Sequence, residues 1–461
     1  MRGEAEQGMS QALIPPGPKY PPALQMVGFW TRPLAFLERC RARYGRRFTI
    51  RLPFTPPFVM LTDPDDVKQV FTAPPDVLAP GSGARVLEPV VGRNSVILLD
   101  GAEHMEQRKL MLPAFHGERI ERLSALVETV TERAVAEWPV DRPVVLHEQL
   151  QRATLEIILR AVFGLDPGPR LDALRDQLGA MLKFGEKPIS LMPPAPEGRV
   201  ATLAERVGPF AEFVRLQRRA DELIFELVDE RRADPQERDD VLAMLLSARH
   251  EDGAPMPDQE LRDELMTLLV AGHETTASTL AWCFERLARD PETVERLRVE
   301  DDDYLTATIQ EALRCRPVLP NVAPRLVVKP IEVGGWSYPT GVCLVPNAYL
   351  IHHDPDLYPN PYAFRPERFL DQAPGTYTWI PFGGGRRRCL GASFAMLEMK
   401  VVLRAVVQAR DLEAVHPALP RTRRRNITVA PGDGCLVRLP ARAPVTKAGS
   451  PAALALAAAG G

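Results

Sequence analysis

The chain has 461 residues, of which 45% are hydrophobic and 25% charged, enough to bury one large core or two ordinary ones. A formal net charge of -3 supplies no global basic field, which argues against nucleic acid as a partner and leaves any cationic function local. Six cysteines (Cys40, Cys283, Cys315, Cys343, Cys389 and Cys435) lie far apart without a C-x-x-C pair, so neither a zinc ribbon nor a disulfide framework is indicated.

The N-terminus, MRGEAEQGMSQALIPPGPKYPP, is polar and rich in proline. It holds no apolar run long enough for a signal peptide or a membrane anchor, and it predicts a soluble protein of the reducing cytoplasm. PPGPKYPP reads as a stiff lead-in, and PLAFLERCRARY (33–44) has helical spacing of its apolar residues. RFTIRL from Arg47 and PFVMLT from Pro57 predict strands of a small sheet around a proline turn. Amphipathic helices are expected over 118–136, 146–162, 171–184, 206–232 and 258–289, followed by a smaller β-rich portion over 325–343. The proline-rich patch 190–197 reads as a mobile surface loop. With no repeat and no clean linker, the expectation is one mainly α domain with a minor β-sheet region over 15–440, able to enclose an apolar cavity. Residues 1–14 and the alanine-rich 441–461 are expected to be flexible tails.

The stretch FGGGRRRCLG (382–391) sets three glycines and three arginines before a cysteine. Glycines let backbone approach a bulky planar group and can aim amide N–H groups at a sulfur. Arg386, Arg387 and Arg388 are expected to lower the thiol pKa and to pair with carboxylates of a bound group. Gly391 opens a helix, ASFAMLEMKVVL, whose positive end favours a thiolate.

This stretch resembles the heme-binding signature F-x-x-G-x-R-x-C-x-G of the cytochrome P450 family, matched at Phe382, Gly385, Arg387, Cys389 and Gly391. The resemblance implies a P450 fold with heme b (iron protoporphyrin IX) buried between a distal oxygen-binding helix and the proximal cysteine loop. Cys389 is then the axial ligand of the heme iron, and Arg387 pairs with a heme propionate.

A second stretch, LLVAGHETTAST (268–279), places glycine in a helix centre, which is costly unless something must approach the backbone there. A threonine hydroxyl bonded back to the preceding turn could widen the helix into a groove. It resembles the family's distal A-G-x-D/E-T motif at Ala271, Gly272, Glu274 and Thr275. Glu274 and Thr275 become the acid and alcohol pair that delivers protons to heme-bound dioxygen. Many members carry aspartate at the first of these positions; glutamate also occurs. His273 reads as structural or adjacent to the relay, not as a metal ligand.

Glu311 and Arg314 in EALRCRP are spaced i, i+3 on one helix face, and Pro317 ends that helix. The resemblance makes them a buried E-x-x-R pair completed by Arg368 of the PERF segment (Pro366, Glu367, Arg368, Phe369), a fold lock behind the heme. By the same resemblance His104 and Arg108 match a propionate-binding helix and Arg325 a strand arginine with the same role, together offsetting the heme's negative groups. His352 and His353 in HHDP read as turn structure.

The resemblance runs from Pro15 to near Leu439 and implies a heme-thiolate monooxygenase. Such an enzyme inserts one atom of O2 into a hydrophobic small-molecule substrate such as a fatty acid, terpenoid, steroid or macrolide. No cysteines are spaced for an iron–sulfur cluster and no flavin domain fits this length, so electrons from NAD(P)H are expected through a separate ferredoxin or flavodoxin with its reductase. The arginines around Cys389, with Lys109, form the cationic docking face. Substrate contacts are expected from 80–96, 184–207, the central helix, 318–322 and 426–429. A peroxide-driven peroxygenase and a non-catalytic heme sensor are the alternatives, and the Glu274–Thr275 pair argues against both.

Overall fold

A computed structural model describes residues 14–115, 118–185, 209–234 and 238–442. Helices dominate. Those that position the site are α1 (Pro22–Thr31), α2 (Pro33–Tyr44), α3 (Pro64–Thr72), α4 (Gly101–Met111), α5 (Glu118–Glu137), α6 (Leu146–Phe163), α7 (Pro169–Gly185), α8 (Pro209–Ala233), α9 (Asp258–Leu287), α10 (Asp302–Cys315) and α11 (Ala392–Ala409). The helices expected from periodicity are present with boundaries shifted by a few residues. The patch 190–197 and residues 1–13 and 443–461 lie outside the described residues.

Local chemistry sets the ends of these helices. Asp301 caps α10 by accepting from the Asp303 amide, with Asp302 and Asp303 in the first turn and Arg314 in the last, each sign matching the helix dipole. In α11 the buried residues Phe394, Met399, Val402, Leu403, Val406 and Val407 recur at helical spacing. Each such side chain removed from water contributes roughly 1.5–3 kcal/mol. That stripe seats α11 against α5, α9 and α10.

α9 is buried along most of its length and runs against α6 through the middle of the molecule. Two apolar clusters flank it. One joins α6, α7 and α8 around Ile157, Phe163, Leu174 and Ile224; the other joins α9, α10 and α11 around Phe284, Leu305 and Leu403.

The minor sheet has 5 strands in the order β1-β2-β5-β4-β3, where β1 is Arg47–Ile50, β2 Phe58–Leu61, β3 Leu78–Ala79, β4 Arg325–Val327 and β5 Cys343–Pro346. β2 and β5 are parallel, with Phe58 opposite Cys343; the other pairs are antiparallel. A separate antiparallel hairpin, β6 (Thr422–Arg425) and β7 (Thr428–Pro431), turns at Asn426. It rests on α9, where Trp282 Nε1 donates to Val429 O at 3.0 Å.

Candidate active site

The loop 382–391 delivers its cysteine to the head of α11, for which Gly391 is the N-cap. Gly383 and Gly385 have φ of 67° and 62°, a region open to glycine at little cost. A Cβ on Gly384 would stand 2.3 Å from the Phe71 ring, and one on Gly385 2.3 Å from the Phe71 carbonyl oxygen. The expectation reserved these glycines for a bulky planar ligand. What approaches Gly384 and Gly385 is Phe71 of α3, which anchors the loop. Gly391 differs: no atom lies within 4 Å of where its Cβ would be, and it lines a cavity of about 1290 Å³.

Cys389 lines the same cavity and keeps accessible surface there, whereas every other cysteine is buried. Its amide donates to Phe382 O at 2.9 Å, and the Gly391 amide donates to its sulfur. Burial pushes the thiol up; the Gly391 amide, Arg108 and Arg388 pull it down without overcoming burial. Of the three neighbouring arginines expected to depress the thiol, Arg388 does so. Arg386 is exposed, and Arg387 turns away, donating to Val96 O (3.1 Å), Leu99 O and Asp100 Oδ1 (2.9 Å). A metal cation is what would complete the ionisation that these donors begin.

His104 and Arg108 of α4 and Arg387 line the cavity, and Arg325 of β4 lines a small pocket that shares His104 and Arg387 with it. Asp100 pairs with Arg387. Arg108 and Arg325 have no carboxylate partner among the described residues, although Arg325 is buried, lies 4.9 Å over the Phe71 ring and is lowered to about 10 by desolvation. Buried cations without counter-ions are costly, so this corner fits a ligand bearing carboxylates. Burial and the neighbouring Arg387 and Arg108 hold His104 at about 4. At neutral pH it therefore offers a neutral N–H, and the positive charge assumed for it belongs to the arginines.

From α9, Ala271, Gly272, Thr275 and Thr276 line the cavity. Thr275 Oγ1 donates to Ala271 O at 2.7 Å, the expected back-bond, while α9 continues helical on both sides. A Cβ on Gly272 would meet Ile158 Cδ1 at 2.9 Å, so the close approach there is made by α6.

Glu274 faces away from the cavity. Its Oε2 accepts from Gln151 Nε2 at 2.6 Å and its Oε1 from Ser278 Oγ at 2.9 Å. His147 Nε2 and Arg425 Nε each stand 3.5 Å from Oε1. Burial would raise this carboxyl, but the hydrogen bond and charge of His147, then Arg425 and His273, outweigh it and hold it at about 2. Arg425 Nη1 donates to His147 Nδ1 at 2.8 Å, and His147 Nε2 lies 3.1 Å from Ser278 Oγ. Hydrogen bonds thus run from Arg425 through His147 and Ser278 to Glu274. Sequence reasoning missed His147 and Gln151 of α6, Arg425 of β6, and Ser278, one turn on from Glu274 in α9. His273 is buried against Thr154 Oγ1 at 3.0 Å.

Glu311 and Arg314 are fully buried. Arg314 donates Nε to Glu311 Oε2 at 2.6 Å and Nη2 to Oε1 at 2.8 Å; Arg368 Nε reaches Oε1 at 3.3 Å. Arg314 also donates to His352 O, Pro361 O and Ala363 O. His352 ends a short helix (Ala348–His352), with His353 as its C-cap, and its Nε2 accepts from the Ile380 amide at 2.9 Å. The other substrate segments reach the cavity through Pro80, Val86, Val96, Val318, Val322 and Ile427; residues 186–207 lie outside the described residues.

A thiol at a positive helix end, the uncompensated Arg108 and an open glycine all face one apolar cavity, with Arg325 in a small pocket that shares His104 and Arg387 with it; together they fit a planar dianionic metal cofactor and define the heme-thiolate class. The family model "Cytochrome P450" matches residues 15–431. Among curated relatives, "Putative cytochrome P450 135B1" of Mycobacterium tuberculosis is 37% identical over 448 residues, covering 94% of this chain and 92% of that protein. "Putative cytochrome P450 138" of the same species is 36% identical over 427 residues, covering 91% of this chain and 95% of that protein. A solved structure described as "Retinoic acid bound cyanobacterial CYP120A1" superposes with a TM-score of 0.81 at 24% identity, covering 93% of this chain and 99% of that one. The cytochrome P450DA heme domain gives 0.78 at 22%, covering 94% and 98%. The chain belongs to the cytochrome P450 family, and so is a heme-dependent monooxygenase. Among the described residues no helix is long and apolar enough to cross a membrane.

Proposed function

We propose that the protein hydroxylates or epoxidises a small to medium hydrophobic molecule, with Cys389 as the axial ligand of heme b. The observation that carries this reading is that Cys389 and, from α9, Ala271, Gly272 and Thr275 line one cavity. Heme held there supplies reductive activation of dioxygen. Arg108, Arg325 and Arg387 would hold its carboxylates, with His104 adding a neutral hydrogen bond, and Gly391 leaves room beside the ring.

Proton delivery falls to α9. Thr275 presents a hydroxyl to the cavity and is anchored through Ala271 O. Glu274 holds its carboxylate on the side of the helix away from the cavity through His147, Ser278 and Arg425. Rotation of Glu274 off Arg425 raises its affinity for a proton and carries that proton toward Thr275. The apolar wall of Leu268, Val318 and Val322 excludes water from the substrate.

Electrons come from NAD(P)H by way of a reductase and a separate acidic partner, a ferredoxin or flavodoxin, docking on exposed Arg386 and Arg388. The contribution of Lys109 to that face is reduced, because its ammonium is 2.9 Å from Glu251. The test is reconstitution with such a partner, NAD(P)H and a panel of fatty acids, terpenoids and steroids. Product carrying oxygen from labelled dioxygen, with reduction slowed by salt, is expected. Product formed only with hydrogen peroxide overturns the proposal in favour of a peroxygenase.

A further inference from the structure

The strand β6 is Thr-Arg-Arg-Arg, and its arginines have different surroundings. Arg423 is exposed. Arg425 serves His147 and Glu274. Arg424 lines the large cavity, its guanidinium 4.2 Å over the Phe29 ring and 5.8 Å over Trp30 of α1. It makes no hydrogen bond or ion pair among the described residues, and its Nε is buried without a partner. Stacking on two aromatic faces offsets only part of the cost of desolvating a guanidinium. Burial lowers its pKa to about 10, so it remains a cation at neutral pH.

Its place in the cavity is also informative. Arg108 and Arg388 are the cations that act on the Cys389 sulfur, and Arg424 is not among them. Its neighbours are on α1, whose Met26 and Val27 line the cavity while being exposed at 45% and 55%. That part of the wall is therefore the mouth, where Phe54 is also exposed. The cavity beyond is lined by apolar residues such as Met111, Phe115, Leu268 and Val322.

Resting on the reading of this cavity as the substrate site, we propose that Arg424 anchors the carboxylate of an amphipathic organic acid, alkyl or terpenoid, whose hydrocarbon end extends inward toward Cys389. The aromatic pair orients the guanidinium, the charge is matched by the acid at the mouth, and the apolar interior takes the tail. Oxidation then falls on carbons remote from the carboxyl group, and the neutral ester or alcohol of the same skeleton binds less well.

The test is titration of the heme-loaded protein with lauric, palmitic and abietic acids and with their methyl esters, followed by the heme spin-state shift and, independently, by calorimetry. The wild type is expected to bind at least one acid about tenfold to a hundredfold tighter than its ester, the range of a charge-assisted hydrogen bond. Arg424→Gln is expected to abolish that ratio and Arg424→Lys to restore part of it. Which skeleton responds distinguishes an alkyl from a terpenoid acid. Equal binding of acid and ester, no binding of any acid, or an unchanged ratio in Arg424→Gln overturns the inference. If Arg424→Gln does not fold, the wild-type comparison decides. The carbon monoxide spectrum of the reduced protein is recorded alongside: a normal thiolate spectrum without acid preference defeats this inference alone, whereas loss of that spectrum in the wild type defeats the heme-thiolate reading beneath it.

Discussion

Glu274 and Thr275 are neighbours in α9, yet they serve different compartments: Thr275 lines the cavity, and Glu274 is bound to Gln151 and Ser278 beyond it. A carboxyl held at about 2 carries no proton at neutral pH while it stays there. In the proposed relay, proton transfer must therefore include its release from His147 and Arg425. Glu274→Gln is expected to slow dioxygen-driven turnover about a hundredfold while the thiolate spectrum is retained; turnover within a factor of about two of wild type contradicts the relay.

Arg425 controls that release. Arg425→Leu removes a charge that depresses the Glu274 carboxyl, so its pKa rises. The fall in rate on the alkaline side of the pH–rate profile is expected to move to higher pH relative to wild type, because the relay needs Glu274 protonated. An unmoved profile would show that Arg425 only supports the β6–β7 hairpin.

Thr275→Ala is expected to uncouple the reaction: NAD(P)H and dioxygen are consumed, while product per NAD(P)H drops and peroxide rises. Oxidation driven by added peroxide should survive better, since that route does not need the same proton delivery. Coupled turnover in the variant removes Thr275 from the mechanism.

The Glu311–Arg314–Arg368 cluster is a stability device. Glu311→Gln leaves the Arg314 guanidinium buried without its counter-ion, with an expected loss of about 3–5 kcal/mol in urea unfolding. A loss below about 1 kcal/mol would place the pair among ordinary surface interactions.

Glu398 lies buried in α11, with Thr276 as hydrogen-bond donor and Oε1 unpartnered. Burial raises its carboxyl from 4.5 to about 8, so the folded protein holds this proton more tightly than the unfolded chain. Its contribution is fully present below 4.5 and is lost as pH rises through about 8, by at most about 1.4 kcal/mol per pH unit. Glu264, also raised to about 8, acts with the same sign. Glu398→Gln is expected to flatten, without abolishing, the fall in unfolding free energy between pH about 5 and about 8; an unchanged slope contradicts the assignment.

Contiguous motifs were legible in the sequence. FGGGRRRCLG and AGHETT each place their chemistry within one turn or loop, and from them Phe382, Arg387, Cys389, Gly391, Ala271, Gly272 and Thr275 line the cavity, while Glu274 does not. Helix periodicity located the long helices, because a buried stripe must repeat along the chain. The partners of Glu274 were not legible: His147 and Gln151 lie on α6 and Arg425 on β6, brought together only by tertiary folding. The glycines at 384 and 385 were misread because nothing local shows that Phe71, on α3, fills the space beside them. The burial that outweighs the pull of Arg388 and Arg108 on the Cys389 thiol was not legible either, because charge is visible in sequence and burial is not.

The most direct test of the account is the absorption spectrum of the reduced carbon monoxide complex, for wild type and Cys389→Ser after equal heme supply. The account predicts the strongly red-shifted band of thiolate-ligated heme in the wild type and its loss in Cys389→Ser. A wild-type spectrum without that band, or a Cys389→Ser spectrum that keeps it, contradicts Cys389 as the axial ligand.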